Sequence, residues 1–402
     1  MNQNLGETIS TNIDLPDFND TEIAFKGKTK EDLNRAYWLF KIISSNFLTK
    51  VGPYLTNSAI KFGLPVIPLI KKTIFAQFCG GETIEECNAT IAQLDSGKVG
   101  TILDYSVEGE QQEKSFIHTT EEIMAIIRKA KTDPRIPLTV FKPTGVARFE
   151  LLKKVSAKAS LSTAEQAEYF KVKARINQIC RLAYELDVPV MIDAEESWIQ
   201  NAIDDIATEM MRTYNRERAI VYNTYQLYRN DKLASLQADI YLAETDGFIL
   251  GAKLVRGAYM EKERERAQRM GYPSPIHASK EATDTDYNEA IKRCMKHIEH
   301  TAFVAGTHNE QSCRLLAELI NEYRLPHNHP HICFSQLLGM SDNLSFNLGS
   351  AGYNVTKYVP YGPVKSVLPY LFRRAEENTA IAGQTGRELK LIAAEKERRR
   401  TN

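Results

Sequence analysis

Tyr370, Arg373, Arg374 and Glu377 fall at i, i+3, i+4 and i+7, so a helix would stack them along one stripe. Two adjacent guanidiniums backed by one carboxylate leave a surplus positive charge, suited to gripping an anion through paired hydrogen bonds. Spacing alone admits equally a solvated Arg–Glu face worth a few tenths of a kcal/mol. Gly362-Pro363 supplies a helix start, and Pro369 predicts either a kink or a fresh start within the segment. Leu368, Leu371, Phe372 and Ala375 occupy the other face and would pack on a scaffold.

The remaining polar candidates share a different setting, the ends of short apolar runs. Eight such runs occur: Val99–Asp104, Leu138–Lys142, Val188–Asp193, Ala219–Tyr225, Ile249–Val255, Phe303–Thr307, Ile332–Gln336 and Val355–Tyr358. Each is followed by a helical stretch, and most starts lie roughly 30 to 50 residues apart, room for a strand and a crossover helix. Eight alternating units argue for a parallel sheet closed into a (β/α)8 barrel. The rival, an open doubly wound sheet, usually carries GxGxxG after its first strand, and no such pattern occurs.

In such a barrel the strands' C-terminal ends form the chemical face. They deliver Lys142, Asp193, Gln226, Lys253 with Arg256, His308 with Asn309, Gln336 and Tyr358. Lys142 at a strand end suits anion binding, a Schiff base, or plain solvation. Asp193, followed by Ala194, Glu195 and Glu196, suits metal binding, acid–base work, or pairing with nearby cations. The run His327-Asn328-His329-Pro330-His331 has the spacing of a metal site. It precedes the seventh strand, however, and so belongs at the opposite face.

Composition narrows the class. Lys+Arg and Asp+Glu are both 51 of 402 residues, so no net field attracts nucleic acid. The six cysteines are scattered without a CxxC pair, which reads as reduced thiols. The first 22 residues carry five acids and no Lys or Arg, unlike a secretory or mitochondrial leader. No apolar run reaches the ~18 residues of a spanning helix. A soluble, cytoplasmic protein is expected. Residues 1–97 read as a helical arm, with a helical period over Leu33–Phe47 and breaks at Gly63–Pro68 and Cys79–Glu82. Residues 98–385 read as the barrel, and 386–402 as a charged tail whose EKERRR run is a frayed, solvated helix end with at most peripheral contact to the inner face of a membrane.

Taken together, FKPTG (Phe141–Gly145), MIDAEES (Met191–Ser197), KLVRGAY (Lys253–Tyr259), THN (Thr307–Asn309), QLLGM (Gln336–Met340) and YVPYG followed by YLFRRAEEN resemble the proline dehydrogenase family, from about Lys98 to Ala380. The resemblance implies a distorted (β/α)8 barrel that binds FAD without a Rossmann domain. It implies oxidation of L-proline to Δ1-pyrroline-5-carboxylate, with electrons passed to a quinone. It assigns Arg373, Arg374 and Lys142 to the substrate carboxylate, Glu377 to orienting the arginines, and Tyr259, Leu338, Tyr358 and Tyr370 to the ring. Asp193 and Lys253 are the implied catalytic residues. Ala194, Gln226, Arg256, Gly257, Ala258, Thr307, His308 and Gln336 are the implied FAD contacts, Gly257 being where the backbone must come close to the cofactor. No metal is implied. Some relatives carry Arg at the position of Lys253 and Lys at that of Arg256, so these two charges are exchanged here. A full tyrosine at 358 favours proline over hydroxyproline.

The length leaves no room for the aldehyde dehydrogenase domain of bifunctional relatives, so a separate pyrroline-5-carboxylate dehydrogenase is the expected partner. The rival readings are a hydroxyproline dehydrogenase, a metal-dependent hydrolase using HNHPH and the 193–196 carboxylates, and a non-catalytic barrel.

Overall fold

The computed structural model describes residues 15–43, 61–62, 64–107, 111–380 and 384–401. Eight parallel strands follow one another around a nearly closed barrel: β1 (Gly100–Tyr105), β2 (Thr139–Phe141), β3 (Val190–Ile192), β4 (Val221–Gln226), β5 (Leu250–Val255), β6 (Thr301–Gly306), β7 (Ile332–Leu337) and β8 (Val355–Tyr361). Neighbours are hydrogen-bonded in the order β1-β8-β7-β6-β5-β4-β3-β2, which leaves one seam, between β1 and β2, without a ladder. All eight expected strands are present, shifted by a few residues at their ends.

The pleat explains how an apolar barrel ends in a polar site. Ile102, Val140, Met191, Tyr222 and Val304 belong to one buried cluster. Side chains two residues apart on a strand share a face. One pleat higher on the first three strands stand Asp104, Lys142 and Asp193. Outward-facing Leu103, Phe141, Ile192 and Leu254 join a second cluster with the surrounding helices. Those helices have readable ends. Ser162 and Glu165 form a capping box before Thr163–Leu186, and Asn309 accepts from the Ser312 amide to start Glu310–Glu322 directly after His308.

The arm is helical at Thr21–Phe25, Lys30–Ile43, Ile67–Phe78 and Asn88–Ser96, the third including a π-turn at Lys71–Phe75. The end of the predicted Leu33–Phe47 period, and Gly63, lie outside the described residues. Arm and barrel are not independently cored: Phe18, Cys87, Ile91 and Leu94 sit in the main cluster.

Two expectations change. The helix Val364–Ala380 runs through Pro369 without a break. The tail is no solvated end: Gln384–Thr401 is a helix whose Glu388, Ile392 and Glu395 are buried. Glu395 pairs with Arg398 and Arg399 at 2.8 and 2.6 Å, and Arg399 donates to the Phe25 and Lys28 carbonyls. Composition called this stretch charged; those charges close on each other and on the arm.

Candidate active site

Five polar side chains converge at the top of the barrel. Lys253 donates to Asp193 Oδ1 at 2.6 Å, and the Tyr358 hydroxyl donates to Asp193 Oδ2 at 2.8 Å. Lys142 donates to the same hydroxyl and to Asp104 Oδ2, both at 2.9 Å, and lies 3.5 Å from Asp193. Both ammoniums lie over the Tyr358 ring, 5.4 Å (Lys142) and 4.8 Å (Lys253) from its centre. Two cations, two anions and one phenol therefore balance at the ends of β1, β2, β3, β5 and β8.

Burial alone would raise the Asp193 carboxyl, but the Lys253 and Lys142 charges and the bonds from Lys253 and Tyr358 outweigh it and hold it below its ordinary value. Burial, with Asp104 and Asp193 beside it, pushes the Tyr358 phenol well up. Tyr358 thus stays a donor and Asp193 an acceptor. The Leu338 amide bonds to the Tyr358 carbonyl at 2.9 Å, which ties the turn after β7 to β8.

The helix after β8 brings the cationic stripe. Arg373 lies 5.8 Å over the Tyr259 ring, and buried Arg374 lies 5.1 Å over Tyr370. Glu377 is on this helix, but its side chain lies outside the described residues.

On the other side stand the residues assigned to a cofactor. Gln226 donates to the Glu195 carbonyl at 2.6 Å and Gln336 to the Thr307 carbonyl at 3.1 Å, so both amides are oriented by neighbouring strand ends. Arg256 bonds Asp284, Thr307 and Ser312 at 2.7, 2.6 and 3.0 Å and lies 4.3 Å over Tyr287. Lys253 and Arg256, three residues apart, therefore serve different neighbourhoods. Gly257 has φ +138, and an added Cβ would stand 2.5 Å from the Tyr228 ring, so Tyr228 is one neighbour that excludes a side chain there. Ala194 is partly exposed and Ala258 exposed, both in loops at this face. Desolvation and the Lys357, Arg374 and Arg256 charges push His308 down to about 3, leaving a neutral imidazole. The donor set fits a flavin dinucleotide: oriented amides, a neutral ring, a glycine-bearing loop, and a guanidinium with N–H groups to spare for phosphate oxygens.

A family model described as proline dehydrogenase matches residues 87–387, three quarters of the chain. This chain belongs to the proline dehydrogenase family. "Proline dehydrogenase 1, mitochondrial" of Dictyostelium discoideum is 32% identical over 426 aligned positions, covering 94% of this chain and 74% of that protein. The Homo sapiens protein of the same name is 40% identical over 238 positions, 58% of this chain and 40% of that one. Among solved structures, proline utilization A from Bdellovibrio bacteriovorus, inactivated by N-propargylglycine, aligns with a TM-score of 0.71 at 19% identity. It covers 92% of this chain and 40% of that chain, and at this identity it speaks to the fold.

Within this proline dehydrogenase barrel, sequence reasoning passed over Asp104. It ended the first apolar run just as Asp193 ended the third, which was the available signal. Glu195 was seen only as one of three carboxylates. It accepts from the Thr144 amide at 2.9 Å and hydroxyl at 2.6 Å, locking the turn after Lys142. Glu263, fully buried, accepts from the Ser197 amide and hydroxyl at 2.6 Å and ties the Tyr259 segment to the loop after Asp193. The HNHPH histidines lie at the far end. His327 stacks on Tyr353, and His331 faces the Ile298 carbonyl at 2.8 Å. No cluster of His, Cys, Asp and Glu that could hold a metal occurs among the described residues.

Proposed function

We propose that this chain oxidises L-proline to Δ1-pyrroline-5-carboxylate, with FAD as its cofactor and a quinone as the final acceptor. The observation that carries the reading is the balanced Asp104–Lys142–Asp193–Lys253–Tyr358 group together with two adjacent guanidiniums, Arg373 over Tyr259 and Arg374 over Tyr370.

Proline presents one carboxylate, one secondary amine and an apolar ring. Arg373, Arg374 and Lys142 take the carboxylate, and Tyr259, Leu338, Tyr358 and Tyr370 wall the ring. Fixing the carboxylate orients C5, so the entropy of alignment is spent at binding. FAD, when bound, supplies the acceptor for the C5 hydride. Gln226, Arg256, Gly257, Thr307, His308 and Gln336 would hold it, with the loops at Ala194 and Ala258 alongside.

One hydride, carrying the two electrons of the C5–H bond, leaves C5, the nitrogen lone pair becomes the second bond of C=N, and the amine proton passes to solvent. Asp193, kept ionised, compensates positive charge growing on the nitrogen and holds Lys253 and Tyr358 in place. The lone pair is free only on the neutral amine, so turnover rises toward alkaline pH. Tyr358 fills the space a ring hydroxyl would need, which favours unsubstituted proline. The product is the substrate of a pyrroline-5-carboxylate dehydrogenase. No helix among the described residues is long and apolar enough to cross a membrane.

The test is the visible spectrum of purified protein, recorded anaerobically before and after L-proline. Flavin bands that bleach with L-proline, and much less with 4-hydroxyproline, establish cofactor and substrate together. Bands that L-proline leaves oxidised overturn the substrate, and protein that cannot be reconstituted with FAD overturns the reading.

A further inference from the structure

The turn after β7 carries Leu338, and it is held from outside the barrel. Gly339 has φ +79, and a Cβ there would stand 2.1 Å from the Gln77 carbonyl oxygen. Two residues on, Ser341 takes φ +52, a left-handed conformation that side-chain-bearing residues rarely adopt. Such a turn persists only where its surroundings over-determine it.

The surroundings come from four separate elements. Gln77 of the arm donates to the Gly339 carbonyl at 2.9 Å. Lys357 of β8, wholly buried, donates to the Met340 carbonyl and pairs with Asp342 at 2.9 Å. Lys28, before the second arm helix, reaches the same Asp342 carboxylate at 3.4 Å. Glu388 of the terminal helix accepts the Ser341 amide hydrogen. The turn then acts on the site: Ser341 Oγ meets His308 Nδ1 at 2.9 Å, and the Leu337 amide donates to His308 Nε2 at 3.4 Å. Nδ1 therefore carries the proton and donates to Ser341, because Nε2 is an acceptor.

Glu388 is an odd residue for helix packing. Ile392, one turn on, shows what an apolar contact at this face looks like. A carboxylate there meets Asp342 as a like charge, with Lys357 and Lys28 as the balancing cations and Arg374 beyond His308. Ionised, Glu388 makes that set neutral: two cations, two anions.

We propose that Glu388 is a positioning residue of the cofactor site, fixing Ser341 and through it the tautomer and angle of His308. The Gln384–Thr401 helix thus reaches the chemistry through one hydrogen-bonded chain, Glu388–Ser341–His308, while the arm braces the same turn through Gln77 and Lys28. The inference rests on the reading that His308 contacts the flavin. Burial and Asp342 push the Glu388 carboxyl up to about 7, so the ionised acceptor gives way to the neutral acid as pH falls through that value.

The test follows flavin release from diluted holoenzyme by fluorescence, in wild type, Glu388→Ala, Glu388→Gln, His308→Ala and the Glu388→Ala/His308→Ala double variant, with melting temperatures alongside. Glu388→Ala is expected to speed release about tenfold, the size of one lost charge-assisted bond to a buried amide. The double variant should release no faster than His308→Ala alone, the non-additivity of a shared chain. Wild-type release should quicken between pH 8 and 6, and Glu388→Gln, which keeps an acceptor but cannot titrate, should be flat. Full additivity, or a folded Glu388→Ala with wild-type release, overturns the proposal. If Glu388→Ala fails to fold, a Glu388→Gln profile identical to wild type does so. A His308→Ala that leaves release unchanged removes both His308 from the flavin site and the proposal with it. Wild-type protein that never holds flavin overturns the functional reading itself.

Discussion

Tyr358 gives its hydroxyl hydrogen to Asp193 and takes one from Lys142, at 2.8 and 2.9 Å, so one phenol ties the eighth strand to the ends of the second and third. The contact is directional. The phenol stays protonated and Asp193 stays an acceptor, because burial and the nearby carboxylates push the one up, while the lysine charges outweigh burial and hold the other down.

Tyr358→Phe keeps the ring and removes the bridge. We expect kcat/KM for L-proline to fall about tenfold or more, as for loss of a hydrogen bond to a charged group, with the melting temperature within a few degrees of wild type. Steady-state kinetics and a thermal melt check both. Tyr358→Ser, which opens the wall, should raise the rate with 4-hydroxyproline relative to L-proline.

Lys253→Met removes the 2.6 Å partner of a buried carboxylate. Breaking a buried pair from one side costs about 3 kcal/mol, less whatever Lys142 recovers. Adding Asp193→Asn should return much of that stability without restoring turnover. Denaturant unfolding of the two variants decides it; a double variant less stable than Lys253→Met counts against the pairing.

Arg373→Lys tests the guanidinium plane. An ammonium keeps the charge but loses both the paired donors and the stacking on Tyr259. KM for L-proline should rise about tenfold while kcat changes less. An unchanged KM would place Arg373 outside the carboxylate grip.

His308 gives the protein an acid limit. Its folded value is about 3 against 6.5 ordinarily, so below pH 6.5 the unfolded chain binds a proton that the folded one refuses. Stability from this group is complete above pH 6.5 and drains away as pH falls toward 3. His308→Gln should flatten that part of the stability–pH curve. An unaltered slope would mean that His308 is protonated in the fold.

Much of this was legible because it is periodic. The eight runs gave the strands, and Lys142 and Asp193 follow from the pleat: Val140 and Met191 point inward, so the residues two further on do as well. Asp104 obeyed the same rule. What periodicity could not deliver was long-range support. Glu388 and Ser341 are 47 residues apart, and nothing local to RELK or GMSD marks either as a partner. The tail's charge run reads as solvated because burial of Glu395 depends on two arginines folding back over it. Pro369 predicted a kink or a fresh start because a missing amide usually weakens a helix; one helix runs through it, so no new helix starts there.

The bonds from Arg399 to the Phe25 and Lys28 carbonyls span 374 and 371 residues of sequence. During synthesis at roughly 5 to 20 residues per second, the first arm helices therefore wait about 20 to 70 s for the segment that covers them. Throughout that interval the buried faces of Phe25, Leu33 and Phe40 lack their final cover. The arm and the Gln384–Thr401 helix mature together, and a chain cut before residue 384 would be a barrel still missing its clasp.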